Sequence, residues 1–358
     1  MITIHTPGKL MLAGEWSVLE PDNRCIVLPI NRFAICQIQE ATESTLSAPT
    51  LGIANAIITY ENYAYKIASN DSQLFMAQAV LNTTLRFLNE HKVTLKKFNL
   101  TINTDQFFYH QQKLGFGSSA AVCVGITRAL LTLHQFIADD LTIFKLATLA
   151  HYHAQKKIGS GFDIAASTYA QPLSYQRFDA AWLATQRTDS IKKIIEQPWP
   201  GLIIKPITLP QKFHMCVGFT GVSASTTTLA QRILHFKNEH TEQYQNWCTT
   251  TNKIILELET ALENNKQQTI IDLINQQQKS LRNLSDLSDA QIDIPVMSSL
   301  IAAAQKHGTG AKFSGAGGGD CVIAICFENN REKNINHEWA AMGIKIINTV
   351  ILNPMKKN

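Results

Sequence analysis

The stretch Lys113-Leu114-Gly115-Phe116-Gly117-Ser118-Ser119-Ala120-Ala121 decides how this chain is read. Its glycines and serines make a tight loop, and from Ser119 the sequence turns apolar through Ala121, Val122, Cys123, Val124, Ile126, Ala129, Leu130, Leu131 and Leu133. That pattern predicts a buried helix over Ser119 to Gln135 whose N-terminus opens on the loop. The first amides of such a helix have no partner within it, and its dipole places about half a positive charge there. Ser118 and Ser119 are suited to capping the helix, and a serine hydroxyl at this point is within reach of a cation. An anion, and a phosphate above all, is the ligand this arrangement favours.

Two further glycine segments stand near the ends of the chain. They are Pro7-Gly8-Lys9-Leu10-Met11-Leu12-Ala13-Gly14-Glu15 and Lys312-Phe313-Ser314-Gly315-Ala316-Gly317-Gly318-Gly319-Asp320. Glycine lets backbone amides close on an anion because no Cβ blocks the approach, so three such segments suggest a nucleotide triphosphate. Two familiar nucleotide loops are excluded. Gly115-x-Gly117-x-x-Ala120 fits the loose dinucleotide pattern, but Tyr109-His110-Gln111-Gln112-Lys113 precedes it instead of an apolar strand. The P-loop pattern is absent, since Gly8-Lys9 runs into Leu10.

In this order the three segments resemble the three motifs of the GHMP small-molecule kinases, named for galactokinase, homoserine kinase, mevalonate kinase and phosphomevalonate kinase. The likeness spans nearly the whole chain. Within the family, Gly14-Glu15-Trp16-Ser17-Val18-Leu19-Glu20-Pro21 is similar to the first-motif extension of the phosphomevalonate kinase branch. So are the central run from Ala150 to Ala166, with Gly159-Ser160-Gly161-Phe162-Asp163 at its heart, the stretch Gly218 to Thr226, and Ser314 to Cys321. The chain departs from the pattern at Phe116, Lys156, Phe219 and Val322. Mevalonate kinases carry a glutamate on the helix before the central aspartate; that position reads here as Tyr152, which suits the phosphomevalonate kinase branch and leaves a second metal ligand unassigned.

What the resemblance implies is an ATP- and Mg2+-dependent kinase that phosphorylates 5-phosphomevalonate in the mevalonate route to isoprenoids. The alternatives are a kinase for mevalonate or another small-molecule hydroxyl, and, from a different class, a relative that binds a ligand without turnover. Lys9 is implied beside the transferring phosphoryl group, with Asp163 as the catalytic aspartate. Lys113, Gly115, Gly117, Ser118, Ser119, Ala120, Gly315, Gly317 and Gly318 would enclose the nucleotide, with Ser119 on the metal. Glu15, Lys157, Ser160, Ser225, Gly319 and Asp320 would meet the acceptor. Lys157 and Lys312 are further candidate cations, each with the alternative of a solvated surface lysine. Asp163 has the alternative role of capping a helix that begins near Ile164.

Composition agrees. With 358 residues, 45% hydrophobic and 17% charged, the chain is long enough for a large core and two domains. A net charge of +4 with no basic-aromatic cluster gives no case for nucleic acid. No signal peptide or membrane-length apolar run appears, so a cytoplasmic protein is expected, its partners being small molecules, with room for a homodimer. Seven cysteines without a CxxC pair fit reduced, buried thiols, Cys321 among them as a packing residue. His151 and His153 lie two apart, the wrong spacing for a helical zinc pair, and are expected at the solvent or at a substrate's edge.

The fold implied is α+β and two-lobed: an N-terminal lobe like ribosomal protein S5 domain 2 over residues 1–195, and a ferredoxin-like C-terminal lobe over residues 196–358, with the site in the cleft between them. Strands are expected at Ile26 to Ile38, Phe98 to Ile102, Ala311 to Phe313, Cys321 to Phe327 and Ile344 to Leu352. Helices are expected at Gln73 to His91, Leu141 to Lys156, Val296 to His307, and along a stretch from Thr226 to about Ser285. Prolines 198, 200, 206 and 210 punctuate the crossing between lobes.

Overall fold

The computed structural model describes residues 1–69, 71–154, 159–186, 190–222 and 226–353. The larger sheet is organised by the long strand Arg24–Glu40, which pairs along one side with Ile2–Ala13. On its other side the first half, Arg24 to Val27, takes Leu173–Gln176, and the second half, Ile35 to Glu40, takes Phe98–Asn103. Thr45–Ala48 joins Phe98–Asn103 in parallel, and Ile53–Glu61 and Ala64–Ile67 continue that edge. The opposite edge is Ile203–Pro206, so this sheet takes a strand from beyond residue 195. Pro206 is tolerated there because an edge strand can spare one N–H.

Helix Ser118–Leu133 is buried on almost every side, as its apolar run requires, and packs between the sheet and the helices Phe75–Glu90, Asp140–Ala154 and Phe162–Tyr169. The smaller sheet is antiparallel, ordered Gly310–Ser314, Cys321–Cys326, His214–Phe219, Lys345–Ile346. Against it lie Gln267–Ser288, Pro295–Lys306 and Asn329–Ala341. One buried cluster takes Leu10, Leu12, Leu28 and Phe116 from the first lobe and Val217, Phe219, Ile255 and Ile323 from the second. Among the described residues no helix is long and apolar enough to cross a membrane. All seven cysteines are buried and unpaired by disulfides.

One expectation gains detail and another needs correction. The stretch from Thr226 to Ser285 is three helices, Thr226–Glu239, Thr241–Glu263 and Gln267–Ser288. The second break falls at Asn264 and Asn265, the latter with φ of 52°, a conformation asparagine tolerates better than most residues. The strand expected from Ile344 to Leu352 pairs within its own lobe at Lys345–Ile346, with one further bond from Ile347 N–H to Val217 O. Its later part crosses to the first lobe, where Asn31 donates its N–H to Val350 O, Leu352 to Pro29 O, and Ile351 bridges Ile30. The reason is a register shift between Pro7 and Gly8, which skips Asn31 and Arg32 in the pairing with Ile2–Ala13 and leaves backbone there for another partner.

That same shift brings Gly8 against the second glycine loop. A Cβ on Gly8 would lie 2.7 Å from both Phe116 O and a ring carbon of Phe107, and the adjacent Lys9 N–H donates to Phe116 O at 2.9 Å. Gly8→Ala should therefore lower the unfolding free energy by about 1–3 kcal/mol, as overpacking does. Urea titration is the check, with Gly52→Ala, which meets nothing within 4 Å, as the comparison carrying only its left-handed backbone cost.

Candidate active site

Lys9 stands where strand Ile2–Ala13 passes the second loop. Its ammonium donates to Gly115 O at 3.1 Å and lies 5.5 Å from the centroid of the Phe162 ring. Gly117 has φ of 77° and forms the N-cap of helix Ser118–Leu133; a Cβ on it would come within 3.0 Å of Lys9 Cε. Glycine at this position thus serves both the turn and the lysine. The capping role expected of Ser118 and Ser119 does not occur, since no side chain caps this helix. The first intrahelical bond joins Ala121 N–H to Gly117 O, which leaves the amides of Ser118, Ser119 and Ala120 ahead of the ladder.

A cleft of about 440 Å³ opens in front of these amides. Lys9, Lys113, Gly115, Gly117, Ser118 and Ser119 line one side, Glu15, Ser160 and Asp163 another, and Ser314, Gly315 and Asp320 come from the second lobe. A second cavity of about 320 Å³ shares Lys113, Ser118 and Ser119 with it, and its remaining wall mixes Leu51, Leu74, Phe75, Ile102 and Val122 with Thr50, Ser72, Gln73 and Thr104. The helix N-terminus is therefore the point where two chambers meet, each walled by both polar and apolar side chains.

Several sequence candidates lie elsewhere than expected. Ala120 is fully buried in the helix. Gly317, Gly318 and Gly319 do not line the cleft; Gly318 donates its N–H to Ile292 O at 2.7 Å, and a Cβ on Gly317 would sit 2.3 Å from the same oxygen. Lys157 and Ser225 lie outside the described residues. Asp163 falls inside the first turn of Phe162–Tyr169, behind the N-cap Gly161, so it does not cap that helix; its Oδ1 accepts from Ile164 N–H at 3.0 Å.

Lys312 is neither a cleft cation nor a surface lysine. It is 0% exposed and makes a very short ion pair with Glu15, 1% exposed, while also donating to Phe313 O. Burial pushes its ammonium below the ordinary lysine range and Glu15 opposes the fall. The same Glu15 Oε1 accepts from Gly315 N–H at 3.4 Å, which ties the first motif to the third. Ser314 Oγ bridges both backbone groups of Met11, and Trp16 Nε1 donates to Ala316 O at 3.1 Å. Asp320 reaches Gly115, whose added Cβ would meet Oδ2 at 2.7 Å; burial raises this carboxyl above its usual range, with Lys9 opposing.

His151, expected at the solvent or at a substrate's edge, lines the cleft, and what sequence reasoning missed is its contact with Ser119. Helix Asp140–Ala154 turns it, rather than Tyr152, toward the second loop: His151 is 4% exposed and its Nε2 is 3.2 Å from Ser119 Oγ. Burial holds the imidazole below its ordinary range, and the nearby Asp163 carboxylate opposes this. Tyr152 packs on Phe178 and donates to Ala180 O instead. His153 is exposed. Every residue from Ile143 to Tyr152 is buried, so no periodicity in this helix singled out His151 from its neighbours.

Family models describe both lobes of this arrangement. One for the GHMP kinases N terminal domain matches residues 76–171, and one for GHMP kinases C terminal matches residues 258–345. The chain belongs to the GHMP kinase family. This GHMP kinase is 28% identical to a phosphomevalonate kinase of Streptomyces sp. (strain CL190), over 96% of this chain and 95% of that protein. It is similar to the solved structure of a Lin0012 protein from Listeria innocua, with TM-score 0.91, 27% identity and 97% of each chain covered. It also resembles Streptococcus pneumoniae phosphomevalonate kinase in complex with phosphomevalonate and AMPPNP, with TM-score 0.85, 27% identity and 98% and 100% of the two chains covered. The fold of this GHMP kinase is the two-lobed family fold that the motifs implied.

Breaking the buried pair should be costly. Lys312→Met leaves Glu15 as an uncompensated buried charge and should lower stability by about 3–5 kcal/mol, whereas combining it with Glu15→Gln should recover a large part of the loss. Thermal melting of the two variants beside the parent chain checks this.

Proposed function

We propose that this GHMP kinase transfers the γ-phosphoryl group of ATP to the phosphate of 5-phosphomevalonate, giving 5-diphosphomevalonate and ADP in the mevalonate route to isoprenoids. The observation that carries the reading is full-length likeness to a phosphomevalonate kinase structure holding phosphomevalonate and AMPPNP, joined to a cleft whose two chambers meet at a helix N-terminus. The chamber with Leu51, Phe75, Ile102 and Val122 in its wall suits a nucleoside, the amides of Ser118 and Ser119 suit phosphate oxygens, and the chamber holding Lys9, Ser160 and Asp163 suits a small polar acceptor.

The proposal assigns Lys9 to the transferring group, supported by its ammonium standing at Gly115 O beside the loop. Two anions must be brought together for this reaction, and Lys9 and Lys113 are the cleft's lysines among the described residues. The donor set suits Mg2+: the Ser119 hydroxyl and the Asp163 carboxylate share one cleft, and this ion is held by one or two protein oxygens together with substrate phosphates. When bound it neutralises charge developing on the phosphates. Glu15, Ser160 and Asp320 form the wall on which the acceptor would rest, Glu15 being fixed from behind by Lys312.

Asp163 is assigned an orienting role. A phosphomonoester has a second pKa of about 6 and is already mostly a dianion at neutral pH, so its attacking oxygen carries no proton to be removed. An alcohol acceptor would gain about 10²–10⁴-fold from a general base.

With ATP and magnesium, 5-phosphomevalonate should stimulate ADP release far more than mevalonate, galactose or homoserine. Equal or greater turnover with mevalonate would overturn the substrate assignment. Lys9→Met should lower kcat by about 10²–10³-fold, while Asp163→Asn retains measurable turnover. The check is kcat for both variants across about pH 5.5 to 9, a range that crosses the phosphate's second ionisation. An equally deep loss in Asp163→Asn, together with disappearance of a parent-enzyme ionisation, would establish obligatory base catalysis instead.

A further inference from the structure

We infer that His151 is a positioning residue for phosphoryl transfer, fixing the hydroxyl of Ser119 at the N-terminus of the second glycine loop's helix. The inference rests on the proposed reading of Ser119 as a magnesium ligand and adds to it a residue that the three glycine motifs do not contain.

A serine in the first turn of a helix usually bonds to local backbone, either as a cap or to a carbonyl one turn back. Ser119 does neither; among the described residues its hydroxyl meets only His151 Nε2, at 3.2 Å. Without that partner the hydroxyl has three staggered rotamers open to it. With it, one is selected. When Nε2 accepts the serine O–H, the lone pairs of Oγ are left for a cation. A hydroxyl already turned this way does not have to be ordered as the ion binds.

The histidine stands on an anchored helix and is itself buried. Its helix, Asp140–Ala154, is anchored by Lys145, whose buried ammonium donates to Ile195 O and Gln197 O at 2.9 and 2.6 Å. The next residue, Tyr152, is wedged against Phe178. Packing alone does not account for an imidazole here, because an apolar ring would fill the same space without the cost of burying a polar group. The ring lines the cleft together with Ser119 and Asp163, at the junction of the phosphate loop and the central motif.

The test is the magnesium-dependent gain in AMPPNP affinity, measured by calorimetry on the whole chain with Mg2+ and with a chelator. Ser119→Ala should reduce that gain by about 10-fold, roughly one charge-assisted hydrogen bond, and His151→Phe by a similar factor. The double variant should lose no more than either single one, because both remove the same arrangement. His151→Gln, which keeps an acceptor, should recover much of the gain and shows whether loss in His151→Phe is a packing defect. A full gain in His151→Phe beside a reduced one in Ser119→Ala overturns the inference, as do losses that multiply in the double variant. An undiminished gain in Ser119→Ala overturns the magnesium reading of that serine, and the inference with it.

Discussion

The structure depends first on an ion pair that water does not reach. Glu15 comes from the end of the first motif and Lys312 from the strand leading into the third, nearly three hundred residues later, and both are almost wholly buried. Burying two charges is costly, and the cost is offset only when each finds its partner at close range with further hydrogen bonds around it. Phe313 O and Gly315 N–H supply such bonds, the latter to Glu15 Oε1, while the buried Oε2 has no partner among the described residues. The pair therefore holds only when the two lobes meet in one register, and in that register Ser314 reaches Met11 and Trp16 reaches Ala316. The cleft wall is thus built by a contact that is not itself a cleft cation.

On this base the second loop is shaped from outside. Gly8 allows the first strand to touch Phe116, Gly117 turns the chain to begin a helix beside Lys9, and Asp320 closes over Gly115. Each of the three glycine segments contributes something different: close approach, a free helix terminus and a tie between lobes. Only the second offers a row of amides ahead of a helical ladder. The third spends Gly318 N–H on Ile292 and packs Gly317 against it, so its glycines also hold the wall together.

Much of this was legible in the sequence. The run after Ser119 could only be a buried helix, and the three motifs in order implied the family, the two lobes and the meeting of Lys9, Ser119, Ser160, Asp163 and Asp320 in one cleft. The failures share a cause. Lys312 and Glu15 explain each other only across the interface, and nothing local to either marks a buried partner. His151 was expected at the solvent or at a substrate's edge with no role assigned, because neighbouring positions on a helix differ by a turn of about a hundred degrees and nothing local says which of them meets the second loop. The strand after Ile344 had the right alternation, but alternation does not say which sheet a strand joins, and a register shift at Pro7 and Gly8 decided that.

The shared hydrophobic cluster bears on how such an enzyme can move. Two lobes joined by a modest polar seam rock against one another by default, and many enzymes use that motion to exclude water. Here Leu12, Leu28 and Phe116 interlock with Val217, Ile255 and Ile323, and the end of the chain returns to be stitched onto Pro29 and Asn31. Rigid-body jaw motion would have to tear a continuous close-packed interior, which has discrete packings rather than a soft direction of bending. Accommodation to substrate by side chains and by short segments at the rim would leave that interior intact.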